Sequence, residues 1–353
     1  MFYKCVKCKN KWQYPILKCP ECFSATEKFD GKNIKVAGVS IVSIPTLLHP
    51  IVPYFGLILE DDKGNRWAYK STKEYKIGDD FKIETTAERD AVAIWRIKYD
   101  IFEAIEKIIG TIEHFKVAKD FKVLILPTLI IPKHSYLAFN TNPQILDGII
   151  NFLLKKGIDS KNIKIAAQSF DEIPIKASAS KSGLLDICLK HKIAPFDLAQ
   201  GEFIKEEKDG FVFEISKEAL DSDFILNLPI LKMDEKSGIQ GATKNIIKLL
   251  KKESYLGLKY LYSEDEILIK LNELLKNCFH VGDGLVIQNT NQYTNFLGIL
   301  FASFNPLNLD RVFAQVVGSK KLPKYLASLD AKKIKTFGRT IEEVKYNFER
   351  EWS

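Results

Sequence analysis

Four of the six cysteines fall within the first 22 residues, as Cys5-Val6-Lys7-Cys8 and Cys19-Pro20-Glu21-Cys22. A thiolate pair spaced by two residues wraps one edge of a tetrahedron. Ten intervening residues, with Trp12, Tyr14 and Ile16 available for a short hairpin, carry the second pair opposite the first. The spacing is that of a zinc ribbon, so Cys5, Cys8, Cys19 and Cys22 are read as ligands of a structural zinc ion. With four protein thiolates no coordination position is left for substrate, and the metal's binding energy holds a segment too short for its own core. Cys188 and Cys278 stand alone in apolar segments, which suits buried thiols in a reducing compartment rather than a disulfide framework.

A second constellation follows an apolar run. Asn227-Leu228-Pro229-Ile230-Leu231-Lys232 leads into Gly238-Ile239-Gln240-Gly241-Ala242-Thr243-Lys244-Asn245. A strand ending in a loop with glycines, before a lysine-bearing helix, offers backbone N–H groups and positive charge to an anion. Lys232, Gly238, Gly241, Thr243, Lys244 and Asn245 are the expected ligand contacts. The spacing before Lys244 excludes a Walker A loop, and no dinucleotide fingerprint is present. Lys248, Lys251 and Lys252 add charge just beyond. Asp283, between Gly282 and Gly284, either reaches into a cleft or makes an Asx turn. In Asn305-Pro306-Leu307-Asn308-Leu309-Asp310, Asn308 is expected to cap a helix begun by Leu309, with Asp310 in its first turn. Catalytic candidates are confined to Lys232, Asp234, Lys244 and Asp283. His49, His114, His134, His191 and His280 show no metal-ligand spacing, and Ser178-Ala179-Ser180-Lys181 is too short a pattern to carry a reaction.

The elements that must position these residues fall into three stretches. Residues 1–28 form the ribbon, with Lys4, Lys7, Lys9, Lys11 and Lys18 around the cysteines. Residues 29–88 carry short β-branched and aromatic runs (35–42, 55–60, 66–70, 81–84) separated by Asp61-Asp62-Lys63-Gly64-Asn65 and Ile77-Gly78-Asp79-Asp80, which predicts a small OB-like β-barrel. From 89 to 353 strand and helix alternate. Strands are expected at 122–126, 162–167, 223–228, 280–287 and 297–303, and helices at 143–156, 182–191, 265–277 and 309–317. A hairpin is expected to turn at Asp209-Gly210. This order predicts an α/β domain with a mainly parallel sheet. The formal charge of +7, from 52 basic and 45 acidic residues, is too mild to imply nucleic acid by itself. No apolar run of about 18 residues suggests a membrane span, and no secretory h-region is seen near the first residue, so the expected compartment is the cytoplasm.

Two resemblances add to this reading. Gly38-Val39-Ser40, Pro53-Tyr54-Phe55-Gly56-Leu57-Ile58-Leu59-Glu60 and Ile77-Gly78-Asp79 make residues 1–88 similar to the zinc-ribbon/OB family called domain-of-unknown-function family 35. That likeness implies an accessory module beside thiolase-like enzymes, helping to hold CoA thioesters. Leu124-Ile125-Leu126-Pro127-Thr128-Leu129, Asn142-Pro143, Asn227 to Lys232, Gly241 to Asn245, Asn305 to Asp310 and Thr340-Ile341-Glu342-Glu343-Val344 occur in the order seen in domain-of-unknown-function family 362. The second resemblance spans about residues 92–350 and implies a fold and a pocket rather than a reaction. Many relatives carry a ferredoxin-like iron–sulfur domain, for which this chain lacks the cysteines. Where that family has Lys-Pro-Asn this chain has Leu126-Pro127-Thr128, and two positions usually histidine are Asn142 and Asp234.

Together these features point to an accessory or enzymatic protein of CoA-thioester or phosphate-bearing metabolite chemistry. A small anionic metabolite and a thiolase-like or other CoA-handling enzyme are its expected partners. The alternatives are a nucleic-acid-binding protein, with Trp67 and Tyr69 stacking on bases beside Arg66 and Lys70, and a non-catalytic scaffold. The sequence leaves enzyme and scaffold both open.

Overall fold

The structure is a computed structural model of the whole chain, and it describes residues 2–46, 52–71, 73–82, 85–98, 100–275 and 277–346. His49, Ile83, Glu84, Lys276 and the tail beyond Tyr346 lie outside the described residues. The chain divides into two compact units, residues 1–84 and 85–353.

In the first unit, strand β1 (Tyr3–Cys5) pairs antiparallel with both β2 (Lys11–Trp12) and β3 (Thr26–Lys28). A second sheet is an antiparallel meander of β4 (Ile34–Val42), β5 (Tyr54–Asp61) and β6 (Arg66–Ser71). Val36, Leu57, Leu59 and Phe81 are its buried core, and Trp67, Tyr69 and Tyr75 pack against them. Of the fourth strand expected at 81–84, the described residues Phe81 and Lys82 lie outside any strand, although an isolated bridge joins Lys35 to Asp80 and the N–H groups of Phe81, Val36 and Gly78 donate to the carbonyls of Ile34, Asp79 and Val36. Among the described residues the sheet is therefore open, not a closed barrel. The turn after β5 is built by Asp61, whose carboxylate accepts the N–H groups of Gly31, Lys63 and Asn65.

The second unit is built on one eight-stranded sheet. Its strands in chain order are β7 (Val92–Arg96), β8 (Val123–Pro127), β9 (Ile163–Ala167), β10 (Pro195–Asp197), β13 (Phe224–Leu228), β16 (Cys278–Gln288), β17 (Thr294–Ser303) and β18 (Thr336–Gly338). Two hairpins, β11 (Phe203–Lys208) with β12 (Phe211–Ser216) and β14 (Lys232–Asp234) with β15 (Gly238–Gln240), lie outside it. The spatial order is β10-β9-β8-β13-β16-β17-β7-β18, and β17 alone runs against the others. The sheet is mainly parallel, as the alternating pattern requires. The central strands β8 and β13 are buried along their whole length, so they read as unbroken apolar runs.

Helices cover both faces. α1 (Ile101–Gly110) and α2 (Pro143–Lys155) pack in one core with Leu226, Phe279 and Leu300. Asn142 caps α2 and Pro143 takes its first position, where a missing N–H costs nothing. The helix expected at 182–191 forms as α4 (Leu184–Lys190), and Gly183, at φ +86°, separates it from a preceding helix that was not expected, α3 (Ile175–Ser182). After α5 (Lys217–Leu220), the short α6 (Ala242–Asn245) runs into a 3₁₀ turn at Ile246–Leu249. α7 (Lys252–Leu261) and α8 (Glu264–Leu274) follow, the latter closed by a Ser263/Glu266 capping box. α9 (Pro306–Val316) begins earlier than expected. Its cap is Asn305, not Asn308, because Pro306 is pre-set for the first helical position and the Asn305 side chain accepts the Asn308 N–H. The Asp209-Gly210 hairpin forms as expected, with both residues at positive φ.

Candidate functional site

The four ribbon cysteines converge. Cys5 ends β1 and Cys8 lies in the turn after it, Cys19 and Cys22 come from the turn before β3, and all four sulfurs lie within 4.8 Å of one another. Sγ of Cys5 is 3.4 Å from that of Cys22, and Sγ of Cys8 is 3.5 Å from that of Cys19. A tetrahedral tetrathiolate with metal–sulfur bonds of about 2.3 Å sets its sulfurs about 3.8 Å apart, so the cluster needs little adjustment to hold an ion. The N–H groups of Lys7 and Cys8 both point at the Cys5 sulfur at 3.4 Å, an arrangement that favours a thiolate. The surrounding lysines are partly engaged: the ammoniums of Lys4, Lys11 and Lys63 lie 4.5–4.8 Å from the ring centre of Phe29.

The second site lies where parallel strands end. Ligands of parallel α/β sheets sit beyond the carboxyl ends of the strands, because the loops there are free to vary. Here Thr128 follows the last residue of β8, Gln168 that of β9 and Pro229 that of β13, and their loops meet over a buried polar network. The Thr128 hydroxyl donates to Oδ1 of Asn245 at 2.8 Å, while the Ile230 N–H donates to the same hydroxyl oxygen at 3.0 Å. Nδ2 of Asn245 donates to Oδ1 of Asn227 at 2.7 Å. Nδ2 of Asn227 lies 2.8 Å from Nδ1 of His280 and donates to the Ala242 carbonyl at 3.0 Å. Burial pushes His280 down to about 3, so its ring is neutral and its Nδ1 serves as an acceptor.

Two buried carboxylates pin this network. Asp310 of α9 accepts the N–H groups of Ala242 and Thr243, at 2.6 and 2.9 Å. Asp283 of β16 accepts those of Asn142 and Leu285, at 2.7 and 3.1 Å. Burial raises each to about 6 against these hydrogen bonds, which pull the other way. The N–H groups expected to cradle a ligand anion at Gly241–Thr243 thus already serve an internal anion, Asp310. Gly241 is needed for that approach, since a Cβ there would stand 2.2 Å from Oδ1 of Asp310. Gly238, at φ +89°, faces the Lys321 backbone. Asn245 turns its amide inward, and Asp283 is fully buried, with one oxygen making the Asx-type bond to Leu285.

The lysines behave differently. Lys232, on β14, lies over the Phe139 ring at 5.4 Å. Lys248, on the 3₁₀ turn, lies over Phe170 at 4.0 Å. Neither forms an ion pair among the described residues. Burial lowers both, Lys248 to about 8, and the charge of Lys244 lowers both further. Lys244 itself pairs with Glu264 at 3.5 Å. Asp234 stays below the usual carboxylate range: burial raises it, but the Ser237 hydroxyl and N–H and the Gln240 amide outweigh that. Lys232 and Asp234 line a cleft of about 290 Å³ with Phe139, Lys236, Gln288 and Asn289.

Residues 123–315 match the family described as "Domain of unknown function (DUF362)". The chain belongs to this family. The matched stretch holds every residue of the network and the lysine cluster. No curated protein matches the chain. Among solved structures, the lactate racemase apoprotein from Thermoanaerobacterium thermosaccharolyticum is similar at 14% identity and a TM-score of 0.41, over 65% of this chain and 57% of that one. A protein from Thermotoga maritima is similar at 14% identity and a TM-score of 0.32, over 53% and 50%. The chain spans little more than half the length of the first and half of the second, and both are too distant to transfer a ligand or an activity.

The positions at which this DUF362 chain departs from the expected pattern have structural work. Thr128 is a network member, Asn142 caps α2, and Asp234 closes the β14–β15 turn through Ser237. Sequence reading missed Phe139, Gln168 and Phe170, which place the lysines. Gln168 donates to the carbonyls of Lys248 and Leu250 at 2.6 and 2.7 Å. No motif marks these residues; only their place just after strand ends could have drawn attention to them.

Proposed function

We propose that the α/β unit binds a small phosphate- or carboxylate-bearing metabolite at its lysine cluster, and that the tetracysteine cluster holds a structural zinc ion. The observation that carries the first part is the placing of the half-buried Lys232 and Lys248 ammoniums on the Phe139 and Phe170 rings, with no ion pair to either among the described residues, although Asp234 and Asp171 act on them from further off. Like charges gathered away from water are unfavourable, and an anionic ligand relieves that. Four thiolates with no oxygen or nitrogen donor suit zinc in a closed tetrahedral site, which supports the second part.

The cleft of about 290 Å³ lies at the small end of the range for small-molecule sites. Its lining carries Lys232 and Lys236 but also Asp234 and Glu235, and Lys244 and Lys248 are not part of it, so of the cluster only Lys232 could meet a ligand held there. In the fuller form of this reading the ligand is a CoA thioester or a phosphorylated metabolite, and residues 1–84 dock a thiolase-like or other CoA-handling enzyme. That form rests on the resemblance of residues 1–88. The nucleic-acid alternative has less support, because Trp67 and Tyr69 pack on the core of the meander.

Calorimetric titration with inorganic phosphate, CoA and acetyl-CoA tests the binding reading. Wild-type protein should bind at least one of them, and Lys244→Ala should weaken that binding tenfold or more. Equal affinity in the variant would remove the lysine cluster from the function. No binding of any anion would leave the scaffold reading.

A further inference from the structure

Three ammoniums of the first unit converge on one ring. Those of Lys4 on β1, Lys11 on β2 and Lys63 in the β5–β6 turn lie 4.5, 4.8 and 4.7 Å from the ring centre of Phe29. An aromatic ring has two faces, so at least two of the three cations share one. Two of them come from directly opposed positions, since Lys4 pairs with Lys11 in the β1–β2 register, and like charges so placed repel. The third is tied to them: the Lys11 ammonium donates to the Lys63 carbonyl at 3.2 Å. The acids of the neighbouring turns are engaged elsewhere. Asp30 accepts the Phe2 N–H at 2.6 Å and pairs with Lys28 at 3.5 Å. Asp61 accepts the N–H groups of Gly31, Lys63 and Asn65, and Asp62 accepts that of Lys32. Glu27, opposite Lys4 on β3, is left as a partial counter-charge, and none of the three lysines forms an ion pair among the described residues. The group is not aimed at the thiolates either. Successive side chains leave a strand by opposite faces, so Lys4 and Cys5 point to opposite sides of β1. Lys11 and Lys63 are exposed, which leaves the group open to a ligand from solvent.

We propose that Lys4, Lys11 and Lys63, gathered on the Phe29 ring, form a binding site for a phosphate chain, either free pyrophosphate or the diphosphate of a nucleotide. The aromatic face holds the ammoniums together before the ligand arrives, and a compact polyanion relieves their mutual repulsion. Lysine meets phosphate as a point charge and needs no fixed fork geometry, which suits three flexible stems arriving from three segments of chain. Three positive charges set against one carboxylate match an anion of two or three charges better than a single carboxylate. A nucleic-acid strand spreads its charges along a line, and a group centred on one ring meets few of them. The site lies wholly in the first unit and goes beyond the anion-binding reading of the α/β unit.

Acetylation of the full-length protein with acetic anhydride, followed by peptide mapping, tests the site lysine by lysine, so binding at the α/β unit does not register in it. Pyrophosphate should slow modification of Lys4, Lys11 and Lys63 at least fivefold and leave the exposed Lys7 and Lys18 unchanged. ADP should protect the same three lysines. Protection at tenfold lower concentration than pyrophosphate assigns a nucleotide as the ligand, and equal protection assigns a free phosphate chain. Lys63→Ala, in an exposed turn, should weaken protection of Lys4 and Lys11 tenfold while the metal content stays that of wild type. Protection of no lysine, or of all exposed lysines alike, would overturn the site. Protection by single-stranded RNA but not by pyrophosphate would overturn the phosphate-chain ligand in favour of a nucleic acid. Metal loss in Lys63→Ala, with pyrophosphate protecting nothing, would assign the three lysines to balancing the charge of the thiolates instead.

Discussion

Oδ1 of Asp310 accepts the Ala242 N–H at 2.6 Å, tying α9 to the start of α6 across 68 positions of chain. The loop that looked built for a ligand anion is occupied by the protein's own carboxylate. Its role is to fix the turn from which Lys244 and Lys248 project.

Removing that carboxylate should loosen the cluster. Asp310→Ala leaves two buried N–H groups without an acceptor, at a cost of about 2–5 kcal/mol. Gly241→Ala should fail similarly, since its Cβ would collide with Asp310. Chemical denaturation followed by a probe in the α/β unit should show a lowered midpoint for both variants. A wild-type midpoint in either would mean that the joint carries no strain.

The amide network should be equally intolerant. Asn245→Ala leaves the Asn227 carbonyl oxygen and the Thr128 hydroxyl without their partner, for a loss of about 2–4 kcal/mol. Hydrogen exchange at Ile230, whose N–H donates to Thr128, should accelerate first. Unchanged protection there would show that water replaces the amide at no cost.

Lys248 should be a stability liability at neutral pH. Its proton affinity is depressed on folding, from 10.5 to about 8. Below about 8 both states hold the proton and the folded state bears the full cost of burying the charge. Between about 8 and 10.5 only the unfolded state binds it, so the contribution to stability rises with pH. Lys248→Met, which keeps the stem on Phe170, should therefore stabilise the protein by about 1 kcal/mol at pH 7. That gain should shrink as the pH passes 8. A gain that is flat with pH would assign it to packing instead.

Metal removal should act on the first unit. One zinc per chain is expected by elemental analysis, and chelation should abolish exchange protection in β1–β3 while leaving the eight-stranded sheet protected. Cys8→Ser should reproduce the effect. A chain that keeps ribbon protection without metal would refute a structural role for the ion.

Much of the scaffold could be read directly. The convergence of the four cysteines could be read because Cys-x-x-Cys spacing is local, and Asn142-Pro143 and the Asp209-Gly210 hairpin declared themselves through residues whose conformational preferences act over a few positions. The buried strands β8 and β13 were visible as apolar runs. The helix at 182–191 was also legible, formed as Leu184–Lys190, whereas Ile175–Ser182 before it went unread because it carries few apolar residues to show a helical period. Three strands of the expected barrel are formed as a meander, but closure is a property of strand pairing that a run of apolar residues does not specify.

By itself the sequence determined the four-cysteine cluster, the alternation that makes a parallel sheet, and the family to which the chain belongs. The tertiary structure alone decided which polar groups face each other. Asp310 meets Ala242, Asn142 meets Asp283, and Phe170 meets Lys248 only after distant segments converge at the strand ends. Whether a glycine loop receives a ligand or a side chain of its own protein depends on which carboxylate arrives there. That is settled by packing across the sheet, a long-range property that short-range spacing does not encode.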